Sequence, residues 1–150
     1  MNDEDTGFGA RFEVDLVAID HTGIAVHRTD DAIRLYCDVL GLAAGPKRLH
    51  SGEGIYITFL EGANSKVEVL EPAGAESVVS RFLEKRGEGM HHVCFRVRDV
   101  LDVASRMAEA GYQVIDQQPR IGLEGEKLVF IHPKSSHGVL IELLETAGDD

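Results

Sequence analysis

A chain of 150 residues, 43% of them hydrophobic, suffices for one compact domain or for two small modules sharing a core. Its 15 Lys and Arg against 26 Asp and Glu leave a formal charge of −11, a surface that repels nucleic acid and anionic membrane and so excludes both as expected partners. No apolar run approaches the roughly 20 residues that cross a bilayer, and the acidic start Met1-Asn2-Asp3-Glu4-Asp5 is followed by no signal core, so a cytoplasmic protein is expected.

Residues 1–16 read as a tail and lead-in, with residues 1–9 solvated. A first module is expected over residues 17–75. It opens on a strand over residues 20–26. A helix follows, capped near Thr29, Asp30 and Asp31, with Ala32, Ile33, Tyr36 and Leu40 at helical spacing, and it stops at Gly41. A weak strand over residues 43–48 and clear strands over residues 55–60 and 66–70 complete the unit. Residues 76–88 link the modules, with Val78, Val79, Phe82 and Leu83 on one helical face and Gly87 as the stop. The second module, residues 89–145, has a strand over residues 91–97 and a helix from Asp99 to Gly111 bearing Val100, Val103, Ala104 and Met107. Strands are expected over residues 112–115, 127–131 and 139–144. Residues 146–150 form a second tail. Cys37 and Cys94 fall on a helix and a strand and read as ordinary buried thiols of a reducing compartment.

The two modules repeat one another. His21 pairs with His92, 71 residues on, and Glu68 with Glu142, 74 residues on. Alternation along a strand sets His21 opposite Ile24 and Val26, and His92 opposite Phe95 and Val97. Glu68 lies between Val67 and Val69, and Glu142 between Ile141 and Leu143, so each carboxylate faces away from its apolar neighbours. Burying it unpaired is costly, so it faces solvent, a counter-charge or a metal. A single strand histidine is usually just hydrogen-bonded; the repeated His and Glu favour convergence of all four in one cleft. Two imidazoles and two carboxylates without thiolate suit a divalent first-row ion, and Co2+, Mn2+, Ni2+, Fe2+ and Zn2+ all fit. His91 is expected on the opposite face or in a hydrogen bond and is not counted as a ligand. His27, His50, His132 and His137 read as surface residues, the last two at a site rim. The expected fold class is α+β, two tandem units of strand, helix and three strands, and if they pack into one curved sheet the four ligands can meet in a cleft.

The stretches Ile19-Asp20-His21-Thr22-Gly23-Ile24-Ala25-Val26, Lys66-Val67-Glu68-Val69-Leu70-Glu71-Pro72, Gly87-Glu88-Gly89-Met90-His91-His92, Pro119-Arg120-Ile121-Gly122 and His132-Pro133-Lys134-Ser135 carry a resemblance. Over about residues 17–145 the chain resembles the vicinal-oxygen-chelate (glyoxalase) superfamily, and within it the methylmalonyl-CoA epimerase family. The resemblance implies paired βαβββ modules forming an open, cup-shaped mixed sheet around a metal ion, Co2+ favoured, with metal positions at His21, Glu68, His92 and Glu142, an acyl-CoA substrate and a homodimer. It implies interconversion of (2R)- and (2S)-methylmalonyl-CoA through removal of the C2 proton, with Glu142 as the base on one face. Where some members carry a second carboxylate this chain has Ile57, which carries no proton; the nearest carboxylate in sequence is Glu53, in an expected loop, and the second base is left open. Lys47, Arg48, Arg81, Lys85, Arg86, Arg120 and Lys134 are candidates to offset the charge of CoA, with Lys134, Ser135 and Arg120 as the substrate contacts. Two other readings compete. One is a glyoxalase-type lyase or a ring-cleaving dioxygenase, though the dioxygenase set has one carboxylate and Glu68 argues against it. The other is a non-catalytic small-molecule-binding protein, which needs no metal.

Overall fold

The structure, a computed structural model, describes residues 16–146; the tail expected at residues 1–9 and all but Thr146 of the tail at 146–150 lie outside them. In chain order the elements are β1 (Leu16–Ala25), α1 (Thr29–Ile33) continued by a π-helical turn (Arg34–Val39), β2 (Ala43–Ala44), β3 (Arg48–His50), β4 (Ile55–Glu61) and β5 (Lys66–Pro72). Then come α2 (Val78–Arg86), β6 (Gly89–Val97), α3 (Val100–Glu109), β7 (Arg120–Ile121), β8 (Lys127–Ile131), a 3-10 turn (Pro133–Ser135) and β9 (Ile141–Glu145). All strands join one open mixed sheet in the order β2-β4-β5-β1-β6-β9-β8-β7, with β3 also on β4. No helix among the described residues is long and apolar enough to cross a membrane.

Each half pairs its first strand with its last in parallel, β1 with β5 and β6 with β9, and the antiparallel β1–β6 pair joins the halves. α1 and α3 cover the convex face, and α2 packs over one end of the concave one. Under α1 lie Val26, Leu60 and Val69; under α2, Ala25, Ile55 and Leu70; under α3, Val97, Val129, Ile131 and Leu143. The β1–β6 register slips twice where it matters. Ile19 opposes Phe95 but His21 opposes Cys94, so Asp20 is an extra residue on β1. Gly23 opposes His92 but Ile24 opposes Met90, so His91 is an extra residue on β6. Bulges of this kind re-aim side chains, and each here immediately precedes a repeated histidine.

Three expected features differ. The first helix has no side-chain cap, because its cap position falls on Arg28; the Thr29 N–H donates to Glu71 Oε1 at 2.8 Å from the end of β5. Its second half is wider than an α-helix, with Leu40 N–H reaching Leu35 O at 3.0 Å. Residues 112–115 form only a single bridge, Val114 to Ile131, because the Gln113 N–H is taken by Ser135 Oγ at 2.7 Å. In α3 the expected Asp99 cap is present and accepts from the Asp102 N–H at 3.0 Å. Glu145, equivalent to Glu71, accepts from the Val100 N–H at 3.3 Å.

Burial opposes ionisation of Glu71, but Lys47 Nζ at 2.7 Å and the Thr29 N–H hold its carboxyl below the ordinary carboxylate range. Glu71→Ala is expected to lower stability by about 1 kcal/mol, read as a lower urea midpoint. The folded value lies below the unfolded one. The deficit is therefore full above about pH 4.5, and it shrinks as pH falls through the lowered value. An equal deficit at every pH would assign the loss to packing instead.

Candidate metal centre

His21, Glu68, His92 and Glu142 meet on the concave floor of the sheet, all four buried. Each offers one ligand atom, and the four atoms lie within 4.8 Å of one another. The pairing explains the convergence. Gly23 on β1 lies between Glu68 on β5 and His92 on β6, while Cys94 on β6 lies between His21 on β1 and Glu142 on β9. Gly23 and Cys94 are themselves 71 residues apart. A Cβ on Gly23 would stand 2.1 Å from His92 Cε1, so the glycine is what admits the His92 ring.

The donor atoms fit one divalent ion. His92 Nε2 lies 3.0 Å from Glu142 Oε2, 3.4 Å from Glu68 Oε1 and 3.2 Å from His21 Nε2. His21 Nε2 lies 3.7 Å from Glu68 Oε2 and 4.0 Å from Glu142 Oε2. With bonds of about 2.1 Å, ligand atoms sit about 3.0 Å apart at right angles and about 3.4 Å apart at tetrahedral angles. Two buried carboxylates also match a charge of +2. Without that charge they compete for protons. Burial drives Glu68 up to about 8 against the pull of His21, with the Glu142 charge adding to the rise. Burial pushes Glu142 the same way, but the hydrogen bond and charge of His92 hold it below the ordinary range.

Behind the histidines stand the two bulged residues. Asp20 Oδ2 meets His21 Nδ1 at 2.8 Å, and this bond holds the Asp20 carboxyl below its ordinary value against burial. His91 Nδ1 meets His92 Nδ1 at 2.8 Å. Sequence reasoning offered His91 the opposite face or a hydrogen bond; the bulge places it on the cavity wall and gives it the hydrogen bond.

Above the floor opens a cavity of about 960 Å³. Glu53, Ile57 and Arg120 line it, as do Arg48, Lys66 and Arg96. Lys134 and Ser135 do not; they sit in the 3-10 turn, where Ser135 Oγ serves the Gln113 N–H. Nor do His132 and His137 reach the cavity, whereas His50 does. Lys47 is occupied by Glu71 and lies over the Tyr56 ring. Cys94 is buried, Cys37 only half-buried, and both are free.

Glu53 occupies the β3–β4 turn and Glu124 the β7–β8 turn, again 71 residues apart. Each pairs with an arginine of the other half, Glu53 with Arg120 Nη1 at 3.4 Å and Glu124 with Arg48 Nη1. Arg120 is further anchored by Asp116 Oδ1 at 2.8 Å and lies over Phe130.

Sequence reasoning missed Gly23, Asp20, Phe59 and Phe130 as site residues. Phe59 stands edge-on to His21 and Phe130 to His92, with ring centroids 5.4 and 6.1 Å apart. Each also lies opposite a glutamate across its hairpin, Phe59 to Glu68 and Phe130 to Glu142. The signal was available, since 71 residues separate these two as well.

Two βαβββ halves forming a cup, with two histidines and two glutamates converging on its floor, define the vicinal-oxygen-chelate class of fold. The chain belongs to the Glyoxalase/Bleomycin resistance protein/Dioxygenase superfamily, which matches residues 20–130. It is 36% identical to the ethylmalonyl-CoA/methylmalonyl-CoA epimerase of Cereibacter sphaeroides, over 83% of this chain and 95% of that protein. The crystal structure of methylmalonyl-CoA epimerase from Mycobacterium tuberculosis superposes with a TM-score of 0.84 at 33% identity, covering 93% of this chain and 94% of that one. A Streptomyces coelicolor methylmalonyl-CoA epimerase in complex with 2-nitronate-propionyl-CoA superposes with a TM-score of 0.82 at 34% identity, covering 89% and 96%. These relatives are isomerases of the epimerase class.

Proposed function

We propose that this protein is a metal-dependent epimerase interconverting (2R)- and (2S)-methylmalonyl-CoA. The observation that carries the reading is the buried set of two imidazoles and two carboxylates beneath a cavity lined by arginines and a lysine, in a chain whose relatives act on acyl-CoA. His21, Glu68, His92 and Glu142 hold the ion, with Co2+ the favoured occupant. Bound there, the ion supplies Lewis-acid stabilisation of the oxyanion that develops when a proton leaves carbon beside a thioester.

The residues do the rest. Glu142 takes the C2 proton on one face. Glu53 delivers the proton on the other, from the β3–β4 turn at the wall that carries Ile57. Its partner Arg120 is held by Asp116, which leaves Glu53 the weaker of the two contacts. Arg48 and Arg120 meet the anionic part of the substrate. The enzyme works as a cytoplasmic homodimer; the exposed Leu16, Ile19 and Met90 on the seam strands support an assembly.

The test uses metal-stripped protein with Co2+ or Mn2+ restored, and single-enantiomer methylmalonyl-CoA in D2O. Deuterium is expected to enter C2 as stereochemical purity is lost, only with metal. Protein that binds the ion and gives no exchange would assign the site to a lyase or another reaction on this fold. Glu53→Gln separates the two faces: exchange is expected to persist while inversion slows by about 100-fold or more. If inversion and exchange remain in step in that variant, Glu53 is not the second acid–base group.

A further inference from the structure

Asp20 and His91 are equivalent residues of the two halves, 71 apart. Both are extra residues in the β1–β6 register, both line the cavity, and both bond to Nδ1 of the histidine that follows. They differ in chemistry. A carboxylate only accepts, so Asp20 fixes the His21 proton on Nδ1 and leaves Nε2 bare. An imidazole either donates or accepts, and at His92 the choice matters. Glu142 Oε2 lies 3.0 Å from His92 Nε2 and invites the proton there, which would block ligation. A competing acceptor at Nδ1 draws it away.

We propose that His91 is a positioning residue of the metal centre: its Nδ1 accepts the Nδ1 proton of His92 and so presents His92 Nε2, unprotonated, to the ion. This rests on the metal reading above. Since His92 Nδ1 donates, the proton of His91 lies on its Nε2. The ring is held in place by the bulge and by Phe82 of α2, edge-on at 5.1 Å. Arg86 in turn lies over Phe82, 5.7 Å from the ring centroid. The linking helix thereby sets the orientation of a ring one contact behind the metal. The first half achieves the same end with a charge, and the second without adding a fourth carboxylate to a floor that already holds Asp20, Glu68 and Glu142.

The test compares wild type, His91→Leu and His91→Asp in the full chain. Co2+ affinity is measured by chelator competition, the His92 tautomer by long-range 1H–15N spectra of the metal-free protein, and folding by the thermal midpoint of that form. His91→Leu is expected to weaken Co2+ binding by about 10- to 100-fold and to let the His92 proton move toward Nε2. His91→Asp, which copies Asp20 into the second half, is expected to restore most of the affinity and the Nδ1 proton. Wild-type affinity in His91→Leu overturns the role. So does equal weakening in both variants that follows the thermal midpoint, which marks a packing effect. Wild-type protein that binds neither Co2+ nor Mn2+ overturns the metal reading itself, and this role with it.

Discussion

Glu142→Gln is expected to slow exchange of the C2 proton by about 100- to 10,000-fold at saturating metal. The substitution keeps the shape of a side chain packed against His92 and Cys94, and an amide oxygen still points where Oε2 stood. What it removes is a group able to carry a proton. Glu68→Gln makes the matching control, because both carboxylates lie on the floor and only one is assigned the proton transfer. Its exchange rate, at metal concentrations that fill the site, is expected to fall far less. Equal losses in the two variants would mean that each carboxylate matters for holding the ion alone. An unchanged rate in Glu142→Gln would remove Glu142 from the chemistry.

The second large effect is expected from a residue with no side chain. In Gly23→Ala the new Cβ lies 2.1 Å from His92 Cε1 and 2.4 Å from Nδ1. Something must move. Gly23 is paired on both sides, to Glu68 on β5 and His92 on β6, so the backbone has no room to retreat. The His92 ring must swing away from the donor set. Overpacking of this kind costs about 1–3 kcal/mol, and loss of one ligand is expected to weaken Co2+ binding by more than tenfold. Gly89→Ala, on the same pair of strands but with open space around its Cβ, is expected to bind Co2+ as wild type does. Parallel titrations of the two variants decide the point. If Gly23→Ala keeps wild-type affinity, the ring has another way to reach the ion.

The floor of the site was legible in the sequence because duplication leaves a numerical trace. A histidine and a glutamate recurring at nearly one spacing fix both the paired halves and the four residues that converge. The same spacing joins Phe59 to Phe130 and Asp20 to His91, and could have found them. What strict strand alternation could not supply was the bulge. It sets Asp20 and His91 beside their neighbours on one wall, an outcome that depends on how β1 and β6 pair at a distance. The cap on the first helix was hidden for a similar reason: Thr29 and Asp30 are good local caps, but the helix starts from Arg28 and the Thr29 N–H is met by Glu71 from another strand. Lys134 and Ser135 sit in a recognisable motif, yet the 3-10 turn keeps them off the cavity. Arg48, whose partner Glu124 lies in the other half, lines it instead.

The two ion pairs over the cavity, exposed Arg48 with Glu124 and half-buried Arg120 with Glu53, bear on how an anion gets in. Each is worth at most about 1 kcal/mol in water and less as salt rises. Together they set two of the cavity's arginines behind two glutamates. If acyl-CoA is the ligand, as proposed, an anionic group of it takes over an arginine as it displaces the glutamate, charge for charge. On that reading admission to the cup is an ion exchange, and it is expected to weaken as salt rises.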